Sequence, residues 1–278
     1  MGLAQTGHYR WRSSLIHYCR WGSGGKLLIC LHGYGESAES FACLESALGQ
    51  SFMMLAVDLP FHGGTQWKEG LRLGPEELQE ILEGIAGELG GGSKWSFLGY
   101  SMGGRVALSL VERMPGRVAR LVLAAPDGLV VNGWYKLVTR WKAGNLLFRW
   151  MMRRPGLLLS LAKALNRVRL LNKSVYTFTV NYVHDAEDRD KLYKRWTTMR
   201  GFRPDLDAFC AQVRAERIPV GLVYGRQDRI IRVEVGEQFR QRIAPYGELI
   251  VLDCGHRVLQ ERYAEAFVRL LEGGDEPW

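Results

Sequence analysis

The sequence predicts an α/β fold, a mostly parallel eight-stranded sheet with helices on both faces and a helical insertion. Three observations carry this expectation. Continuous apolar runs of strand length alternate with helical text, as in a parallel sheet buried on both sides. The residues with chemical potential fall just beyond the ends of those runs, where such sheets place their sites. The alternation stops between about 129 and 215 and then resumes, so residues 1–128 and 216–278 are expected to form the core and 129–215 the insertion. At 278 residues, 47% hydrophobic and 24% charged, the chain has apolar material for one sizeable core.

Taken in order, His8 to Arg12 and Ile16 to Arg20 read as short strands joined by a Ser13-Ser14 turn. Lys26 to Leu31 is an apolar strand ending in His32-Gly33-Tyr34-Gly35, with helical text from about Ser40 to Leu48. Phe52 to Val57 is the next strand and runs into Asp58-Leu59-Pro60-Phe61-His62-Gly63. Gly74-Pro75-Glu76-Glu77 opens a helix to about Leu89, with proline and acids where a helix start favours them. Trp95 to Tyr100 is a strand, followed across Ser101 by a helix to Met114-Pro115. Val118 to Ala125 closes the first half at Pro126-Asp127-Gly128. After the insertion come strand Pro219 to Tyr224, loop Gly225-Arg226-Gln227-Asp228 and a helix from Val233 to Ile243. Strand Glu248 to Leu252, loop Asp253-Cys254-Gly255-His256 and a helix to about Leu271 complete the chain.

Gly99-Tyr100-Ser101-Met102-Gly103 is G-x-S-x-G in strand–turn–helix context. A serine on so sharp a turn is exposed above the sheet edge, and its neighbours must be small to clear the strand and helix. A serine hydroxyl becomes a nucleophile when a base takes its proton and an acid orients that base. His256 and Asp228, each after a later strand, are the candidates, in the chain order Ser101, Asp228, His256. Asp127, also just past a strand end, competes as the acid; the G-x-x-D loop favours Asp228. An acyl-transfer oxyanion needs two N–H donors, and the backbone N–H of Met102, at a helix start, is one. There is no H-E-x-x-H and no clustered histidine, so neither a metal nor another cofactor is expected.

With His32-Gly33-Tyr34-Gly35, Asp58 to Gly63, the Ser101 turn and the Asp228/His256 pair in sequence, the chain resembles the α/β-hydrolase superfamily along nearly its whole length. The resemblance implies that the backbone N–H of Tyr34 is the second oxyanion donor and that His32 and His62 organise their loops. It also implies that the insertion is a cap that sets substrate shape. Ser101 excludes the haloalkane dehalogenase and epoxide hydrolase relatives, which need a carboxylate at that position. The expected activity is a serine hydrolase of the carboxylesterase kind, acting on a small to medium acyl ester through an acyl-enzyme on Ser101. Tyr100, Arg105, Trp134 and Trp141 are candidate substrate contacts. Gly99 to Arg105 is also similar to the elbow of the menaquinone-pathway lyase, succinyl-hydroxy-cyclohexadiene-carboxylate synthase, where the same triad abstracts a proton and an arginine matching Arg105 holds carboxylates. A non-catalytic ligand-binding protein on the same fold is the third reading.

The net charge of +8 is concentrated in the insertion, where Lys136, Arg140, Lys142, Arg149, Arg153 and Arg154 interleave with aromatic and apolar residues. No nucleic-acid motif accompanies them; these cations are expected to form a solvated face, the sharper alternative being that the amphipathic basic text touches an anionic membrane surface or admits anionic substrates. Five scattered cysteines without a C-x-x-C pair, and an N-terminus without an apolar signal region, lead to an expectation of reduced thiols and a cytoplasmic location.

Overall fold

The computed structural model describes residues 4–130, 137, 139, 141–156, 160, 163 and 185–273. Its strands are β1 (Gln5–Trp11), β2 (Ser14–Trp21), β3 (Lys26–Leu31), β4 (Phe52–Val57), β5 (Trp95–Tyr100), β6 (Val118–Ala124), β7 (Val220–Gly225) and β8 (Gly247–Leu252). The described helices are α1 (Glu45–Leu48), α2 (Pro75–Glu88), α3 (Met102–Arg113), α4 (Lys142–Arg153), α5 (Ala186–Thr198), α6 (Leu206–Glu216), α7 (Val233–Ile243) and α8 (Ala264–Glu272). Text read as one helix from Ser40 is 3₁₀ over Ala38–Leu44 before α1.

The eight strands form one sheet in the order β1-β2-β4-β3-β5-β6-β7-β8. The β1–β2 hairpin joins β4 antiparallel, and every pairing from β4 to β8 is parallel. The hairpin turn is Arg12-Ser13 rather than Ser13-Ser14: Ser14 pairs with Trp11, and its hydroxyl accepts from Lys68 N–H at 2.9 Å. Ser14 is therefore held in the sheet by a bond that its local sequence does not reveal.

Alternate strand residues point to opposite faces. On one face Leu28, Cys30, Met54, Ala56, Leu98, Val122 and Val223 pack with Phe41, Leu44 and Leu48 and with Phe267, Leu270 and Leu271 of α8. On the other, Leu27, Ile29, Leu31, Phe97 and Leu121 are equally buried. Burying an aliphatic or aromatic side chain contributes roughly 1.5–3 kcal/mol, so these two layers dominate the stability of the sheet. The chain leaves β3 toward β4 on one side and returns to β5 on the other. The crevice beyond the carboxyl ends of β3 and β5 is thus the topological switch point.

The chain divides into two compact units. One comprises Met1–Glu69, Gly74–Val130 and Phe202–Trp278; the other comprises Gly70–Leu73 and Val131–Gly201. The second unit ends at Gly201, short of the expected 215, because α6 belongs with the sheet. Phe209 of α6 stacks on Phe239 of α7 at 5.9 Å, Val213 is fully buried, and Gln212 Nε2 donates to the Glu112 carbonyl at 2.9 Å. In the second unit α4 lies on α5. Phe148 meets the rings of Tyr193 and Trp196, each at 5.6 Å, and Asn145 bonds both Thr197 and Tyr193 at 3.1 Å. Among the described residues no helix is long and apolar enough to cross a membrane.

Candidate active site

Ser101 stands between β5 and α3 with φ 50° and ψ −114°. Its N–H donates to the Ala124 carbonyl at 2.9 Å, and its own carbonyl accepts from Gly104 N–H at 2.9 Å and Asp127 N–H at 2.8 Å. These bonds hold a backbone conformation that costs a non-glycine residue about 1–3 kcal/mol. The glycines either side are required by close approach. A Cβ on Gly99 would lie 2.6 Å from the Gly103 carbonyl oxygen, and one on Gly103 would collide with the Leu31 carbonyl oxygen.

The loops after β7 and β8 are laced together: Arg226 N–H donates to Leu252 O at 2.8 Å and Gln227 N–H to Cys254 O at 2.9 Å. That lacing sets Asp228 beside His256. His256 Nδ1 lies 2.7 Å from Asp228 Oδ2, and His256 Nε2 lies 3.0 Å from Ser101 Oγ. In the neutral tautomer that fits both contacts, Nδ1–H donates to Asp228 and Ser101 O–H donates to Nε2. Burial alone would raise the Asp228 pKa; the bonds from His256, Ile231 N–H and Ile230 N–H, with the charge of His256, outweigh it and hold the carboxyl below its ordinary value. Asp127 takes another partner, its Oδ2 lying 3.3 Å from Arg105 Nη1.

The loop after β3 runs against Ser101, since a Cβ on Gly33 would lie 3.4 Å from Ser101 Cβ. Tyr34 follows directly in that loop. Met102 is the first residue of α3, where backbone N–H groups have no acceptor within the helix. His32 Nδ1–H donates to Gly33 O at 2.8 Å, and Nε2 accepts from Leu59 N–H at 3.0 Å. His62 Nδ1–H donates to Pro60 O at 2.9 Å. Both rings are tied to loop backbone.

The candidate substrate contacts fare differently. Tyr100 is a core residue: it is 3% exposed, its hydroxyl donates to the His256 carbonyl at 3.3 Å, and its ring lies 5.5 Å from the imidazole. That geometry braces the His256 loop, and burial pushes the phenol pKa up. Arg105 is also buried, with its guanidinium on Asp127. Trp141 is exposed at the start of α4, and Trp134 lies outside the described residues.

Two further groups escaped the sequence reading. Glu36, one residue after the His32–Gly35 motif, is within electrostatic reach of His256 and Arg257; its Oε2 is buried without a hydrogen-bond partner, and burial raises its pKa. Adjacency to the motif was its one signal. His17 on β2 forms a second histidine–carboxylate pair, its Nδ1 lying 2.7 Å from Asp58 Oδ2. Asp58 also accepts from Ala38 N–H at 2.7 Å and Gly64 N–H at 2.8 Å, so this pair pins loops together. Only the β2–β4 register brings His17 there, and register between distant strands is not local information.

Known proteins share this arrangement of chain. Over 272 residues the chain is 27% identical to Esterase Rv0045c of Mycobacterium tuberculosis, covering 95% of this chain and 87% of that protein. It is 28% identical over 259 residues to a pimeloyl-(acyl-carrier protein) methyl ester esterase of Nitrosomonas europaea, covering 87% and 92%. Among solved structures, a malate-bound thermophilic esterase from Thermogutta terrifontis aligns with a TM-score of 0.68 at 20% identity, over 97% of this chain and 98% of that one, a likeness of fold. Residues 28–270 match the model of the Alpha/beta hydrolase family, and the chain belongs to that family.

Proposed function

We propose that the protein is a serine esterase that forms an acyl-enzyme on Ser101. The observation that carries this reading is the continuous chain of contacts from Ser101 Oγ to His256 at 3.0 Å and from His256 to Asp228 at 2.7 Å. The names of the two relatives, both esterases, support an ester as the bond cleaved.

In the first half-reaction Ser101 Oγ attacks the ester carbonyl carbon while its proton passes to His256 Nε2. Asp228 stabilises the imidazolium through Nδ1–H and remains ionised. We assign the oxyanion to the backbone N–H groups of Met102 and Tyr34; such donors are each worth about 10²–10³ in kcat. The intermediate collapses, the C–O bond to the alcohol breaks, and His256 returns the proton to the departing oxygen. In the second half-reaction water adds to the acyl carbon as His256 takes its proton, and Ser101 leaves with that proton restored. The products are the carboxylic acid and the alcohol.

Engagement of Arg105 with Asp127 weighs against the lyase reading, which needs that guanidinium for substrate carboxylates. The test is labelling of wild type and Ser101→Ala with a fluorophosphonate, followed by a chain-length series of nitrophenyl esters. Labelling lost with Ser101, and kcat reduced about a million-fold, are the expected results. Labelling without turnover of any ester would move the assignment to the lyase; absent labelling would remove Ser101 as nucleophile.

A further inference from the structure

Helix α4 is divided lengthwise by chemistry. At 100° per residue, Phe148 and Met152 share the arc that packs on α5 and are 4% and 8% exposed. Leu146, Leu147 and Trp150 occupy the opposite arc and are 65%, 50% and 44% exposed. Lys142, Arg149 and Arg153 lie along one border of that apolar arc, and Arg154 lies on it with its guanidinium 5.5 Å from the Trp150 ring. The helix contains no acid. An exposed apolar stripe containing a tryptophan, bordered by cations, is the pattern of a helix lying in a membrane interface.

Beside that stripe is a pocket of about 320 Å³ whose lining includes Arg149, Met152, Arg153, Arg189, Asp190 and Lys194. Four cations surround it against one carboxylate, Asp190, which Lys194 already holds at 2.6 Å. Arg189 Nε donates to the Met152 carbonyl at 3.0 Å, anchoring that guanidinium at the pocket wall. Arg149 and Arg153 have no carboxylate within ion-pair distance among the described residues. Two guanidiniums without a carboxylate partner among the described residues offer paired N–H donors for planar bidentate bonding to a phosphate.

We propose that this helix pair docks the protein on an anionic membrane, with Leu146, Leu147 and Trp150 in the acyl boundary and a lipid phosphate held in the pocket by Arg149 and Arg153. Charge complementarity selects this occupant. A second copy brought face to face would set like cations against each other, which is unfavourable. The site uses none of the residues of the proposed hydrolytic machinery.

The experiment is flotation of the full chain with vesicles of phosphatidylcholine alone and of phosphatidylcholine containing phosphatidylglycerol. The variants are Arg149→Gln/Arg153→Gln and Leu146→Ser/Trp150→Ser. Turnover of a soluble ester by each reports that the fold is intact. Wild type is expected to float with anionic vesicles only. The arginine variant should partition about thirtyfold less, from roughly fivefold for each basic side chain near an anionic surface. The Leu146/Trp150 variant should also lose flotation, and soluble turnover should be unchanged in both.

Absence of flotation, equal flotation with neutral vesicles, or an arginine variant that floats like wild type would overturn the proposal. So would saturable binding of inorganic phosphate by a chain that ignores vesicles, which would make the ligand a free phosphate compound. A wild-type dimer in sedimentation that Leu146→Ser/Trp150→Ser converts to monomer would make the stripe a self-contact and overturn it too. Ester turnover without flotation rejects this site alone; flotation without turnover rejects the esterase reading alone.

Discussion

At Ser101 a left-handed backbone, the His256 imidazole at 3.0 Å and the Asp228 carboxylate one contact further on occupy the same few ångströms. Asp228 is the residue on which that geometry turns. Its folded pKa lies below the ordinary value, so the stability it contributes is complete above about pH 4 and is lost as pH falls through the folded pKa. Asp228→Asn should lower kcat by about 10⁴ by favouring the wrong imidazole tautomer. Its stability deficit, measured by urea unfolding across pH, should shrink toward acid; a deficit constant with pH would contradict the ionised role. Glu36 behaves with the opposite sign. Its folded pKa is raised by burial, which the Ser40 bond and the charges of Arg257 and His256 offset only in part. Stability is therefore lost as pH rises from the unfolded value through the folded one. Glu36→Gln should be more stable than wild type at pH 7 and lose that advantage near pH 4; equal urea midpoints at pH 7 would refute the burial argument.

Among the elements, the β5–turn–α3 unit imposes the strictest steric demands. G-x-S-x-G was readable as a turn needing small residues, and the structure supplies the reason: a Cβ on Gly103 meets the Leu31 carbonyl oxygen of the neighbouring strand's end. That obstacle is backbone at the end of a paired strand and, unlike a side chain, cannot rotate away. Gly103→Ala should cost about 3 kcal/mol, at the upper end of overpacking effects. Gly87→Ala, near the end of α2 with nothing within 4 Å of its new methyl, should be neutral or stabilise by up to about 1 kcal/mol. Equal urea midpoints for the two variants would show that contact with Leu31 is not the reason for glycine. Helix α6 teaches the converse. It falls inside the span expected for the insertion, but packs with the sheet unit through Phe239 and Glu112, which no local pattern connects to it.

Over the whole molecule, the net charge of +8 gains meaning only from where the cations stand. Surface charges are screened over about 8 Å at physiological salt, so flotation with anionic vesicles should fall steeply as salt rises while soluble ester turnover holds. Salt-independent flotation would show that the apolar stripe acts without Arg149 and Arg153. The α/β class and its strand sequence were legible because apolar periodicity and glycine-bounded turns are local consequences of backbone sterics and burial; the same turns nominated Ser101, Asp228 and His256, whose side chains the structure brings within hydrogen-bonding distance. Tertiary structure supplies the reason for the preference for Asp228 over Asp127 that the G-x-x-D loop suggested: the β7 and β8 loops are laced together, while Arg105 engages Asp127. Tertiary structure alone decided that Tyr100 packs against His256 from within the core and that Glu36 comes within electrostatic reach of it. Such choices depend on distances between residues far apart in the chain, and side-chain identity constrains those distances only after the sheet has assembled.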